Sequence, residues 1–182
     1  KYQVESGRRW FDRRKKLEDL FVLDTDRVNI MDAEAFAKKP ARLLSLFALA
    51  QKHGKSIHPD ALRMVSQNLG LVKAPFRRDP KVNALFLEML NGDRAVAWVL
   101  RKMNGCGLLG QYMPEFGRII AQTQHDLFHV YTVDEHTLLA VENIRHIRAG
   151  KLAEELPIST EIIHRVPRMI VLYLAVLFHD IA

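Results

Sequence analysis

Apolar residues recur along most of this chain at three- and four-residue steps, the spacing that lines one face of a helix. Residues 8 to 23 set Trp10, Phe11, Leu17, Leu20 and Phe21 among Arg, Lys and Asp. The pattern is amphipathic and predicts a helix. The stretch "DAEAFAKKPARLLSLFALAQKHG" predicts a short helix, then one that opens at Pro40 and closes at Gly54. Proline is favoured in a first helical turn and glycine just past the last. "HPDALRMVSQNLG" has the same form, with Pro59 and Gly70 as its limits. So does "RDPKVNALFLEMLNG", with Asp79 as cap, Pro80 first and Gly92 last. Asp93 to Met103 is the next predicted helix. The three segments show no side-chain self-similarity, so they do not form a repeat.

Four glycines and a proline fall within "NGCGLLGQYMPEFG", residues 104 to 117. Such a stretch marks either a plain connector or a place where backbones approach closely. Beyond it, Thr132 and Glu135 have capping-box spacing, so a helix should run from Val133 to about Arg148, with Gly150 ending it. Residues 151 to 166 predict one or two short helices around Pro157. Pro167 opens a last helix that runs toward His179. No stretch alternates strictly with β-branched enrichment, so strands have little support. The expected product is an all-α helical bundle with short loops.

Composition narrows this reading only a little. The chain has 182 residues, 48% hydrophobic and 26% charged, enough to bury a core in one domain or two small ones. Its net charge of +6 comes largely from Gly7 to Lys16 and from Lys73, Arg77 and Arg78. A basic nucleic-acid-binding module would show such an excess, but so would solvated helix faces. The single cysteine, Cys106, excludes an internal disulfide and points to a reducing, cytoplasmic setting. The apolar run Met169 to Phe178 is about half the roughly 20 residues needed to span a bilayer, so it predicts a core helix.

The chemistry collects near the end of the chain. His136 lies one turn inside the Thr132-capped helix, and His179 and Asp180 follow the apolar run "YLAVLF". Imidazole nitrogens and carboxylate oxygens are ligands for Zn, Mn, Fe or Mg. Side chains of adjacent residues diverge along a helix but can converge on one ion at its end. A lone His-Asp pair is a weak signal, more often structural than functional. Asp134 falls in the first turn of its helix, where a negative charge is favourable, and could alternatively back a histidine ligand.

His-Asp after an apolar run, with a capped-helix histidine upstream, resembles the HD superfamily of metal-dependent phosphohydrolases, whose signature is His…His-Asp…Asp. The resemblance implies that His136 is the first metal ligand and that His179 and Asp180 form the central, catalytic pair. A fourth ligand, an Asp on a later helix, is expected beyond residue 182. The longer motif "GLLGQYMPEFGRIIAQTQHDLFHVYTVDEHTL", followed by "LYLAVLFHDIA", resembles the bifunctional uridylyltransferase/uridylyl-removing family of bacterial nitrogen control. That resemblance is strongest over residues 105 to 140 and 168 to 182, and looser over 1 to 104.

The resemblance implies a helical linker region over 1–122, following a nucleotidyltransferase domain, and the first part of an HD domain over 123–182. No Gly-Ser motif followed by paired aspartates, the nucleotidyltransferase hallmark, occurs here. The implied parent is an enzyme that adds UMP to a tyrosine of the PII signalling protein and hydrolyses it off again. Its implied cofactor is a divalent metal, Mg or Mn, and its implied partners are uridylylated PII and UMP or UTP. This segment would carry part of the hydrolytic site, and on its own it is expected to be nearly inactive. His125, Asp126 and His129 would hold the ligands in place or bind phosphate. The two histidines could equally be ordinary surface or packed residues. The alternative role for the whole segment is a non-catalytic helical scaffold that docks PII or couples two active sites. An uncovered face on Pro167 to Phe178 would favour self-association.

Overall fold

A computed structural model of the chain describes residues 15–32, 34–92, 95–120 and 131–181. Among these the architecture is predominantly helical, with one small sheet that the helix-spaced pattern does not predict. Strands β1 (Lys15–Lys16), β2 (Phe21–Asp24) and β3 (Arg27–Ile30) form an antiparallel meander, and β4 (Ser56–Ile57) pairs parallel with β3. The all-α expectation is corrected accordingly, and residues 15 to 24 are strand and turn rather than helix. Residues 8 to 14 lie outside the described residues.

The reason is the turn. Phe21 pairs with Ile30 and Leu23 with Val28, so one face of the hairpin is apolar. Phe21, Val28 and Ile30 are buried in the core. Thr25 and Asp26, at the hairpin tip, take φ of 46° and 67°. Positive φ at both residues of a two-residue loop is what matches the twist of paired strands. Asn-Gly usually supplies it; here the sequence reads Thr-Asp, which hides the hairpin.

Helices α1 (Ala35–Lys38) and α2 (Arg42–His53) follow. Pro40 lies in the turn before α2, which begins two residues later than expected. Gly54 closes α2 with φ 61°, and the Lys55 N–H donates to the Ala50 carbonyl over 2.9 Å, a left-handed helix stop. Six residues of α2 are buried, from Leu43 to Ala50, because the hairpin covers one side and later helices the other. Arg42 ties the hairpin to this helix. Its Nε and Nη2 donate to the two carboxylate oxygens of Asp19 at 2.8 and 2.7 Å, and its Nη1 donates to the Ala35 carbonyl. That forked hydrogen bond from Arg42 holds the Asp19 carboxyl below the usual carboxylate range.

Helix α3 (Pro59–Gln67) starts at its proline, with the His58 ring accepting from the Asp60 N–H. It stops before Gly70, which sits inside a 3-10 turn, Leu69–Leu71. Helix α4 (Ala74–Arg78) precedes α5 (Pro80–Asn91), where Asp79 caps the Lys81 N–H as its sequence predicts. Helix α6 runs Val96–Gly105. The predicted start of that helix at Asp93 falls outside the described residues.

The glycine-rich stretch makes two short helices, α7 (Leu108–Tyr112) and α8 (Pro114–Gly117), packed backbone to backbone. A Cβ on Gly117 would stand 2.8 Å from the Gly110 carbonyl oxygen. A Cβ on Gly110 would stand 3.1 Å from the Gly117 Cα. Close approach, rather than a plain connector, is therefore what these two glycines serve.

Helix α9 (Val133–Arg148) has the bounds its sequence predicts, with Gly150 at φ 71° just beyond. Thr132 is its N-cap residue but makes no side-chain cap hydrogen bond. Helix α10 (Pro157–Ile163) and helix α11 (Met169–Phe178) complete the described chain. Helix α11 begins two residues after Pro167. It packs against α9, α5 and α8, burying Met169, Tyr173 and Leu177, while Val171 and Phe178 remain exposed. No helix among the described residues is long and apolar enough to cross a membrane.

Candidate metal centre

Two helices deliver the three residues singled out by sequence. Helix α9 packs on α6 and on α11 through Leu138, Val141 and their neighbours. His136 is exposed, one turn from the N-terminus of α9. His179 follows the last residue of α11, and Asp180 follows His179. Burial of Tyr173 and Leu177 fixes the height and rotation of α11, and so carries this end of the helix to α9.

The ligand atoms of His136, His179 and Asp180 all lie within 4.8 Å of one another. The two imidazole centroids are 6.0 Å apart, with the rings inclined at 42°. His179 Nδ1 lies 2.7 Å from the Val176 carbonyl oxygen, and its Nε2 lies 3.1 Å from Asp180 Oδ2. A carbonyl only accepts, so Nδ1 is the N–H donor and also satisfies a terminal carbonyl of α11. In the neutral ring Nε2 then carries a lone pair that faces a carboxylate oxygen. Two lone pairs at that distance repel unless a cation, a proton or a metal ion, lies between or beside them. The C-terminal end of α11 adds partial negative charge at the same place.

Two imidazole nitrogens and one carboxylate oxygen suit a divalent transition metal or Mg, and all three residues are exposed. Ions of this kind bind such atoms at about 2.0 to 2.2 Å, so ligand atoms on neighbouring corners stand roughly 3 Å apart. The ligand atoms here, within 4.8 Å of one another, come near that spacing. The residues present therefore fit the group that the sequence motif implies. His125, Asp126 and His129 lie outside the described residues.

The structure also shows polar links that sequence reasoning missed. Asp134 does lie in the first turn of α9, but it is buried, at 5% exposure. Asn104, on α6, donates its Nδ2 to Asp134 Oδ2 at 2.7 Å. Arg101, one turn earlier on α6, bonds Glu142 Oε2 at 2.6 Å and lies 3.6 Å from Glu135 Oε2. No spacing rule pairs Asn104 with Asp134, because the two helices are joined only through the fold.

Together these features define a predominantly helical protein with a His, His, Asp cluster suited to a divalent cation. Residues 21–112, half of the chain, match the family described as "Uridylyltransferase GlnD third domain". The chain is 46% identical over 169 residues to the bifunctional uridylyltransferase/uridylyl-removing enzyme of Azospirillum brasilense. It is 42% and 39% identical over 170 residues to the enzymes of that name from Rhodospirillum rubrum and Novosphingobium aromaticivorans. Each alignment covers 93% of this chain and 18% of the relative's length. The chain belongs to the GlnD uridylyltransferase family.

Proposed function

We propose that this chain supplies part of the uridylyl-removing site of a bifunctional uridylyltransferase/uridylyl-removing enzyme. The reaction would hydrolyse the phosphodiester that joins UMP to a tyrosine of the PII protein. The observation that carries the reading is the meeting of His136, His179 and Asp180 at one point on the surface. Residues 21–112 match the family's third domain, and the cluster lies outside that match. We take residues 123–182 as the first part of an HD-type hydrolase domain.

In this reading His136 and His179 hold a divalent cation, Mg or Mn, as neutral imidazoles, and Asp180 contributes negative charge. When bound, such a cation supplies Lewis acidity to a phosphoryl oxygen and acidifies a coordinated water. The Val176 carbonyl keeps the proton of His179 on Nδ1, which leaves Nε2 free to coordinate. Asp180 orients a water through its second oxygen. All three groups are exposed among the described residues.

The test is a pair of assays on the full-length protein. His179→Ala should lose release of UMP from uridylylated PII by at least 100-fold, as loss of a metal ligand implies, while UMP transfer from UTP to PII continues. Retention of UMP release by His179→Ala would contradict the assignment.

A further inference from the structure

The cluster depends on where the first turn of α9 stands, and the structure holds that turn from a distance. Asp134 is 5% exposed, a depth at which a carboxylate is costly unless it is hydrogen-bonded. Asn104 provides such a bond, 2.7 Å from its Nδ2 to Asp134 Oδ2. The other end of the same amide, Asn104 Oδ1, is buried without a partner among the described residues. An orphaned buried acceptor carries an unrecovered desolvation cost. An apolar side chain of similar shape would avoid that cost at position 104 itself. What an amide provides, and Leu would not, is a donor aimed at Asp134.

Asp134 and His136 are two positions apart on α9, so they face nearly opposite sides of the helix. A hydrogen bond that fixes Asp134 inward therefore fixes the rotation that points His136 outward. Arg101 acts along the same seam. Its bond to Glu142 sets α9 against α6 two turns further on, and its approach to Glu135 braces the first turn. We propose that Asn104 is a positioning residue for the metal cluster. Through Asp134 it sets the rotation of α9 and hence the separation of His136 from His179. The inference rests on the metal reading given above. It also assigns a role in that site to a residue inside the third-domain match, 21–112, whose own sequence carries no ligand of the cluster.

The test uses Mn2+ binding to the full-length protein, followed by electron paramagnetic resonance and restricted to the binding that His136→Ala removes. Asn104→Leu should weaken that binding at least fivefold. The exchanged pair Asn104→Asp with Asp134→Asn, which rebuilds an amide-to-carboxylate bond in reverse, should restore it to within twofold of the parent. Val65→Ala, a core truncation on α3, serves as the control for lost stability and should leave Mn2+ affinity unchanged. If His136→Ala removes no Mn2+ binding, the metal reading fails and takes this inference with it. If His136→Ala removes it but Asn104→Leu binds within twofold of the parent, the metal reading stands and the positioning role is overturned. Equal weakening by Val65→Ala would also overturn it.

Discussion

The rings of His136 and His179 lie 6.0 Å apart, centroid to centroid, although they belong to different helices. Asp180 Oδ2 is 3.1 Å from His179 Nε2. Three groups with this chemistry at one place should respond to a cation. Mn2+ at about 100 times its dissociation constant should stabilise the folded protein by about 2.7 kcal/mol. Thermal melting with and without Mn2+ reads this directly. His136→Ala should melt at the same temperature in both conditions.

The contact between α7 and α8 makes a sharp prediction about size. Gly117→Ala drives a methyl group into the Gly110 backbone, so it should destabilise by about 1–3 kcal/mol. Gly105→Ala meets nothing within 4 Å at the end of α6 and should stabilise by up to about 1 kcal/mol. Urea unfolding of the two variants should therefore shift in opposite directions.

The hairpin tip is strained where it need not be. Thr25 is β-branched and sits at φ 46°, a region that such residues avoid and that Asn tolerates. Thr25→Asn should raise stability by about 0.5–1 kcal/mol, measured as a higher urea midpoint with an unchanged slope.

Tyr112 predicts an alkaline limit. Its hydroxyl donates to Asn83 Oδ1 at 2.7 Å, its ring packs against Phe86 and Phe76, and burial pushes its pKa up to about 12. A pKa raised in the folded state means that folding stability is complete below the unfolded value, near 10, and falls as pH rises toward 12. The loss across that window should be about 2 kcal/mol, and Tyr112→Phe should abolish this part of the pH dependence. Denaturant unfolding at pH 9 and pH 11.5 checks both statements.

Some of these features were legible in the sequence and others were not, for physical reasons. Thr132, Gly150 and the apolar spacing between them mark the limits of α9, although Thr132 makes no side-chain cap hydrogen bond. His179 and Asp180 stood out through the longer motif around them, since a His-Asp pair alone is a weak signal. The hairpin was not, since its turn uses Thr-Asp instead of glycine and its buried face rests on four positions. Gly110 and Gly117 announced a close approach without naming each other as partners. The Asn104 bond to Asp134 leaves no trace in the sequence at all. It exists only because α6 and α9 pack side by side.

The central claim is that His136, His179 and Asp180 hold one divalent cation together. The most direct measurement is anomalous diffraction at the manganese edge from crystals of the protein soaked in Mn2+. The account predicts one peak about 2.0–2.4 Å from an imidazole nitrogen of His136, an imidazole nitrogen of His179 and a carboxylate oxygen of Asp180. A Mn2+-soaked crystal with no peak at these three residues, in a form that leaves them open to solvent, would contradict it.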